Sequence, residues 1–225
     1  MTLAAALAAF REYFLARVPA DRAKLIQTYI DRSRDDHVAA NALRAGDRAP
    51  AFTLRNQNGI EVALAERSMR GPVILVFYRG GWCPYCNLEL RAYQRLLPEI
   101  ETAGGTLLAI SPQQPDASLS TAEKNALAFD VLSDTGSRMA KAFGIAYTLP
   151  EPLRALYTQI GHALPEINAD DSWTLPVPAT FVLDRNGIVT LAHVDVDYRV
   201  RLEPQAALDE VRRLAPSGRA RQEAA

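Results

Sequence analysis

Cysteine is nearly missing from this chain: there are two in 225 residues, Cys83 and Cys86. That scarcity excludes a fold stapled by many disulfides and leaves both thiols for chemistry. Histidine is almost as scarce. His37, His162 and His193 lack paired metal-ligand spacing, so a zinc half-site at the cysteines has no second half. No metal and no cofactor is expected. Charge of one sign is not in excess, with 25 Lys and Arg against 26 Asp and Glu, which excludes the basic footprint of a nucleic-acid binder. Long apolar runs are absent too, and none approaches the roughly 20 residues that cross a bilayer. The opening MTLAAALAAFREYF has no basic region before it and no clean cleavage site before Arg11 and Glu12. It reads as a mature helix rather than a signal peptide. Two cysteines kept only as CxxC fit a reducing compartment, and the expected location is the cytoplasm.

What is present supports one large core, since 48% of the residues are hydrophobic. Leu3, Leu7, Phe10 and Phe14 recur at helical spacing, and Leu25, Ile26, Tyr29 and Ile30 form a second stripe. Residues 1–43 are therefore expected to be a two-helix extension. It either covers a face of the core or makes a homodimer contact. Gly46 to Pro50 breaks that pattern, and strands and helices alternate over residues 44–215. Strands are predicted near 51–54, 60–64, 73–78, 106–110 and 131–132. A hairpin is predicted around Asp184-Arg185-Asn186-Gly187, and a last helix over 204–214 with proline in its first turn. The plan is α/β, a mixed sheet flanked by helices with an antiparallel edge. Residues 216–225 read as a polar, frayed tail.

The informative segment is PVILVFYRGGWCPYCNLELRAY, from Pro72 to Tyr93. A strand-like run delivers Cys83 and Cys86 to the start of a helix. Positions three apart share a helix face, so the sulfurs can meet without large backbone movement. A four-residue ring constrains the unfolded chain little, by roughly 2 kcal/mol, so the pair is a poor staple and a good switch. Helix amino ends favour anions, and the thiolate is the reactive form of cysteine. Pro84 loses no hydrogen bond in the first turn. Arg79 favours a thiolate or an acidic substrate, or is simply a solvated loop arginine. Trp82 shields the sulfurs or fills core, and Tyr85 inside the ring is expected to be exposed to a partner.

These residues resemble the thioredoxin superfamily, and Cys-Pro-Tyr-Cys is the tetrad of glutaredoxins. The wider pattern resembles peroxiredoxins of the alkyl hydroperoxide reductase and thiol-specific antioxidant type. It includes GDRAPAFTLRNQNG from Gly46, VILVFYRGGWCPYC from Val73 and VPATFVLDRNGIV from Val177. The resemblance implies a thioredoxin-like fold preceded by the helical extension. Against the peroxiredoxin spacing P-x3-T-x2-C, Arg79 stands for the proline and Cys83 for the threonine. Cys86 stands for the peroxidatic cysteine. Pro178 stands where peroxiredoxins carry an arginine, which leaves Arg79 as the one nearby cation to compensate. Pro178 also resembles the cis-proline of thioredoxins, which would turn the Val177 backbone toward an incoming peptide or glutathione.

Two functions follow from the resemblance. In the first, a thiol-dependent peroxidase, Cys86 attacks hydrogen peroxide or an organic hydroperoxide, and Cys83 resolves the sulfenic acid to the Cys83–Cys86 disulfide. Thioredoxin, glutaredoxin or glutathione then restores the dithiol. In the second, a thiol–disulfide oxidoreductase, a more exposed Cys83 attacks a substrate disulfide and Cys86 resolves it. A non-enzymatic redox sensor is a third, weaker alternative. His162 lies in a long connection toward Pro178 and is by default a packing histidine. Asp195 and Asp197, in a connection before the last helix, read as carboxylates that solvate a loop.

Overall fold

A computed structural model describes residues 1–215, so the expected tail over 216–225 lies outside the described residues. Two helices come first, α1 (Leu3–Leu15) and α2 (Ala20–Asp35). They are followed by β1 (Thr53–Asn56), β2 (Glu61–Ala63), α3 (Leu64–Arg70) and β3 (Val73–Phe77). Next come α4 (Pro84–Thr102), β4 (Thr106–Ser111), α5 (Pro115–Lys124), β5 (Asp130–Ser133), α6 (Arg138–Ala142) and β6 (Ala146–Thr148). The chain closes with α7 (Glu151–Gln159), α8 (Leu164–Asn168), β7 (Thr174–Pro176), β8 (Ala179–Leu183), β9 (Val189–Val194) and α9 (Pro204–Leu214). The fold is thioredoxin-like α/β, as the sequence leads one to expect. Short elements in stretches read as connections, α3, β6, α8 and β7, are additions to that reading.

Seven strands form one mixed sheet in the order β2-β1-β5-β4-β3-β8-β9, and β6 pairs with β7 apart from it. β3, β4 and β5 run parallel, with α4 and α5 as crossovers. β8 lies antiparallel on the other side of β3. Every residue of β3 is buried, and the pleat divides them between two cores. Ile74 and Val76 join Leu90, Tyr93, Leu208 and Val211 on the face covered by α4 and α9. Val73, Leu75 and Phe77 join Leu108, Phe143 and Phe181 on the other. β3 is thus an inner strand whose carboxyl end opens between two layers, where α/β sheets place their sites.

The hairpin between β8 and β9 turns on Asp184, whose carboxylate accepts from the Asn186 and Ile188 N–H groups at 2.9 and 2.8 Å. α9 buries Pro204, Ala207, Leu208 and Val211, the i, i+3, i+4, i+7 stripe of an amphipathic helix. The first helix is tied to this end of the molecule. Glu203 accepts from the Leu3 and Ala4 N–H groups at 2.8 and 3.1 Å, which places a carboxylate at the positive end of α1. Leu3 and Leu7 are buried in the same core as Cys83 and Cys86, so α1 covers the layer that carries the CxxC.

Candidate active site

The loop from β3 into α4 is held from both sides. Gly81 N–H donates to Gln113 Oε1 at 2.6 Å, and Asn87 Nδ2 donates to the Gly81 carbonyl at 2.8 Å. Asn125 steadies Asn87 in turn, at 2.9 Å. Gly80 sits at φ +147°, and a Cβ there would lie 2.4 Å from Trp82 Nε1. Glycine is needed because the indole folds back over the chain. Cys83 is the N-cap of α4 with extended backbone, Pro84 occupies the first turn, and Cys86 follows in the same turn. Both cysteines are free thiols, 1% and 0% exposed. Cys83 is therefore not the exposed sulfur that a thioredoxin-like attack needs.

Two buried guanidinium groups flank the sulfurs. Arg201, from the 195–203 connection, donates from Nη2 to Cys86 Sγ at 3.4 Å. Its Nη1 pairs with Glu89 of α4, and both side chains are 2% exposed. Arg79 is also 2% exposed, so it is not a solvated loop arginine. It donates to the Tyr157 hydroxyl and lies 4.1 Å from the centre of the Tyr198 ring and 4.9 Å from that of Trp82. Among the described residues no carboxylate pairs with it, and its Nε has no acceptor.

This setting separates the two thiols. Burial pushes Cys83 up, and the hydrogen bond and charge of Cys86 beside it push the same way. Burial also pushes Cys86 up. The hydrogen bond from Cys83 and the charges of Arg201 and Arg79 outweigh it and hold Cys86 well below the ordinary thiol value. Glu89 is pushed up to about 7 by burial, against the pull of Arg201.

Several expected positions are corrected. Tyr85 is 3% exposed rather than open, because Phe10 of α1 meets its ring edge-on at 5.0 Å and Tyr198 at 5.5 Å. The Val177–Pro178 bond is trans, as no cis peptide occurs among the described residues. Val177 is buried, and its N–H donates to the Ile145 carbonyl at 2.7 Å. That backbone is held by the β6–β7 pairing and does not face an incoming peptide. Trp82 packs against the sulfur-bearing core and touches Tyr157 and His162, at 5.5 and 5.1 Å between ring centres. His162 has no hydrogen bond to either sulfur among the described residues. Asp197 does not solvate a loop: it is 5% exposed, bonded to Arg199 at 2.7 Å and paired with Arg34 of α2 at 3.5 Å. Arg79 is not the one cation near the sulfurs, because Arg201 also reaches them.

Sequence reasoning does not reach Arg201, Glu89 or Tyr157. Glu89 had a signal, since it lies three residues after Cys86 on the same helix face. Arg201 is 115 residues from Cys86 and had none.

Beside this centre a cavity of about 520 Å³ lies between α2 and the 146–157 segment, with Arg79, Val177 and Tyr198 in its lining.

The AhpC/TSA family model matches residues 45–192, well over half of the chain. The chain belongs to the AhpC/TSA family. Its relatives include a chloroplastic peroxiredoxin Q of Populus jackii, 28% identical over 172 residues, 76% of this chain and 68% of that protein. Peroxiredoxin Bcp of Escherichia coli (strain K12) is 35% identical over 106 residues, 47% of this chain and 67% of that one. Among solved structures, peroxidoxin BcpB from Mycobacterium tuberculosis shares the fold, with a TM-score of 0.61 and 22% identity. The match covers 76% of this chain and 98% of that one. Family membership makes the chain an oxidoreductase, a thiol-dependent peroxidase. The family match starts after α1 and α2, so the helices that cover Tyr85 and border the cavity lie outside it.

Proposed function

We propose that this peroxidase runs on a Cys86 thiolate and a Cys83 thiol. The Cys86 sulfur attacks the terminal oxygen of a hydroperoxide, the S–O bond forms, and the O–O bond breaks. Its electron pair leaves with the alkoxide or hydroxide, which takes up a proton. Cys86 is then a sulfenic acid. The Cys83 sulfur attacks it, releasing water and closing the Cys83–Cys86 disulfide. A thiol reductant such as thioredoxin, glutaredoxin or glutathione supplies two electrons to reopen it. The observation that carries this assignment is the 3.4 Å contact from Arg201 Nη2 to Cys86 Sγ, which puts the favoured negative charge on Cys86 rather than Cys83. Attack on a substrate disulfide as the first step, in the thioredoxin manner, is less well supported, because in the free-thiol form neither sulfur is exposed and the Val177 N–H is already engaged.

The cysteine usage favours a cytoplasmic location, and the described helices include none long and apolar enough to cross a membrane. Homodimer formation through the helical extension is checked by light scattering on the full chain. The role assignment is tested by sulfenic-acid trapping with dimedone after stoichiometric peroxide. Cys83→Ser is expected to be labelled at Cys86 and to stall after one turnover, and Cys86→Ser is expected to stay unlabelled. Labelling of Cys83 in Cys86→Ser would reverse the roles.

A further inference from the structure

The cavity has a wall that the family match does not include. Ile26, Tyr29 and Ser33 of α2 line one side, and the match begins at residue 45. Tyr147 and Leu153 line the opposite side, and Arg79 lies deep in the lining, almost wholly buried. Amphipathic helices normally press their apolar stripe onto a neighbour. In α2 only Ile30 is fully buried, while Ile26 and Tyr29 keep part of their surface and line the cavity. The second, independent sign is Arg79 itself: among the described residues this buried cation has no carboxylate partner and its Nε has no acceptor. Such a donor is satisfied when a ligand oxygen reaches it. Tyr198 joins the two places, since it lines the cavity and packs against the core that holds both cysteines.

We propose that α2 converts this cavity into an entry pocket for bulky organic hydroperoxides with an apolar body, so that Ile26 and its neighbours set the preference for them over hydrogen peroxide. The inference rests on Cys86 being the attacking thiolate. About 520 Å³ falls in the range of roughly 300–1,000 Å³ used by small-molecule sites, and is far more than hydrogen peroxide fills. On the α2 side Arg32 and the following Asp36 offset each other, which leaves Arg79 as the unopposed charge in the lining. The organic body lies along α2 and Leu153, and the hydroperoxy end points to Arg79. Arg79 donates to the oxygen bonded to carbon. Cys86 attacks the terminal oxygen, and the alkoxide leaves, is protonated by solvent and departs as the alcohol. Hydrogen peroxide reacts at the same sulfur without using the α2 wall.

The test measures second-order rate constants of the full-length reduced protein with cumene hydroperoxide and with hydrogen peroxide. It compares wild type with Ile26→Trp and, two turns along the same face, Ser33→Trp. The ratio of the two constants is expected to fall at least tenfold in each filled variant. Calorimetry with 2-phenyl-2-propanol, the alcohol product of cumene hydroperoxide, is expected to show binding to wild type and loss of it on filling. Two variants guard against one failing to fold. A ratio unchanged within twofold in a folded variant, with alcohol binding also unchanged, overturns the pocket. If neither peroxide reacts with wild type, the thiolate assignment falls instead, and the calorimetry decides the pocket on its own.

Discussion

Replacing Arg201 with glutamine removes the charge that touches Cys86 while leaving a side chain able to hydrogen-bond. The lost contact is a charge-assisted hydrogen bond at 3.4 Å between buried groups. Such bonds contribute about 1.5–3 kcal/mol, and one pKa unit corresponds to about 1.4 kcal/mol, so Cys86 should rise by about one to two units. Arg79 and the amino end of α4 remain, which keeps the shift from running to the full value of a buried, unassisted thiol. Glu89 loses its partner inside the protein. A broken buried pair costs about 3–5 kcal/mol unless the orphan takes up a proton, and Glu89, already near 7, is placed to do so. A parallel Arg201→Gln/Glu89→Gln protein removes that strain. Since Glu89 is already neutral once it takes up that proton, Cys86 should rise by the same amount in both proteins. Ultraviolet thiolate absorbance against pH gives the titration. Stopped-flow reaction with hydrogen peroxide gives the rate, whose low-pH limb should move up with it. A folded Arg201→Gln protein whose Cys86 titrates where the wild type does would falsify the view that Arg201 sets this thiolate.

Phe10→Ala uncovers Tyr85. Since Phe10 is only partly buried, the loss in a denaturant melt should be about 1–3 kcal/mol, below the cost of a fully buried phenylalanine, and alkylation of the cysteines by iodoacetamide should quicken. A stability unchanged within experimental error would mean that α1 is not fastened there. The reduced protein should also gain stability from Cys86 in a defined pH window. Its folded pKa is depressed, so the contribution is complete above the unfolded thiol value and fades as pH falls toward the folded one. Unfolding free energy against pH should lose that rising slope in Cys86→Ser, and an identical slope in both proteins would contradict the depressed pKa.

Much of the fold is legible along the chain because its cues are local. The apolar run Val73–Phe77 has to be an inner strand, and the stripe Ala207, Leu208, Val211 after Pro204 has to be a helix with one buried face. The Cys-Pro-Tyr-Cys step places both sulfurs at a helix start, since proline in the first turn and spacing by three are backbone properties. The peroxidatic role proposed for Cys86 starts from the resemblance to the peroxiredoxin motif. The surroundings of Cys86 have no such cue. Arg201 meets Cys86 across 115 residues, and Tyr157 meets Arg79 across 78. An apolar stripe says that a helix needs cover without saying whose. Tyr85 is therefore buried by Phe10, and Ile26 faces a cavity, for reasons that no local pattern carries. The Val177 N–H is lost to substrates only because Ile145 comes alongside it. Sequence alone determined the main elements of the sheet layers and the placing of the cysteine pair at a helix start. The tertiary structure decided which thiol the guanidinium groups favour as an anion and what covers the pair, because fields and burial depend on groups that only folding brings within a few ångströms.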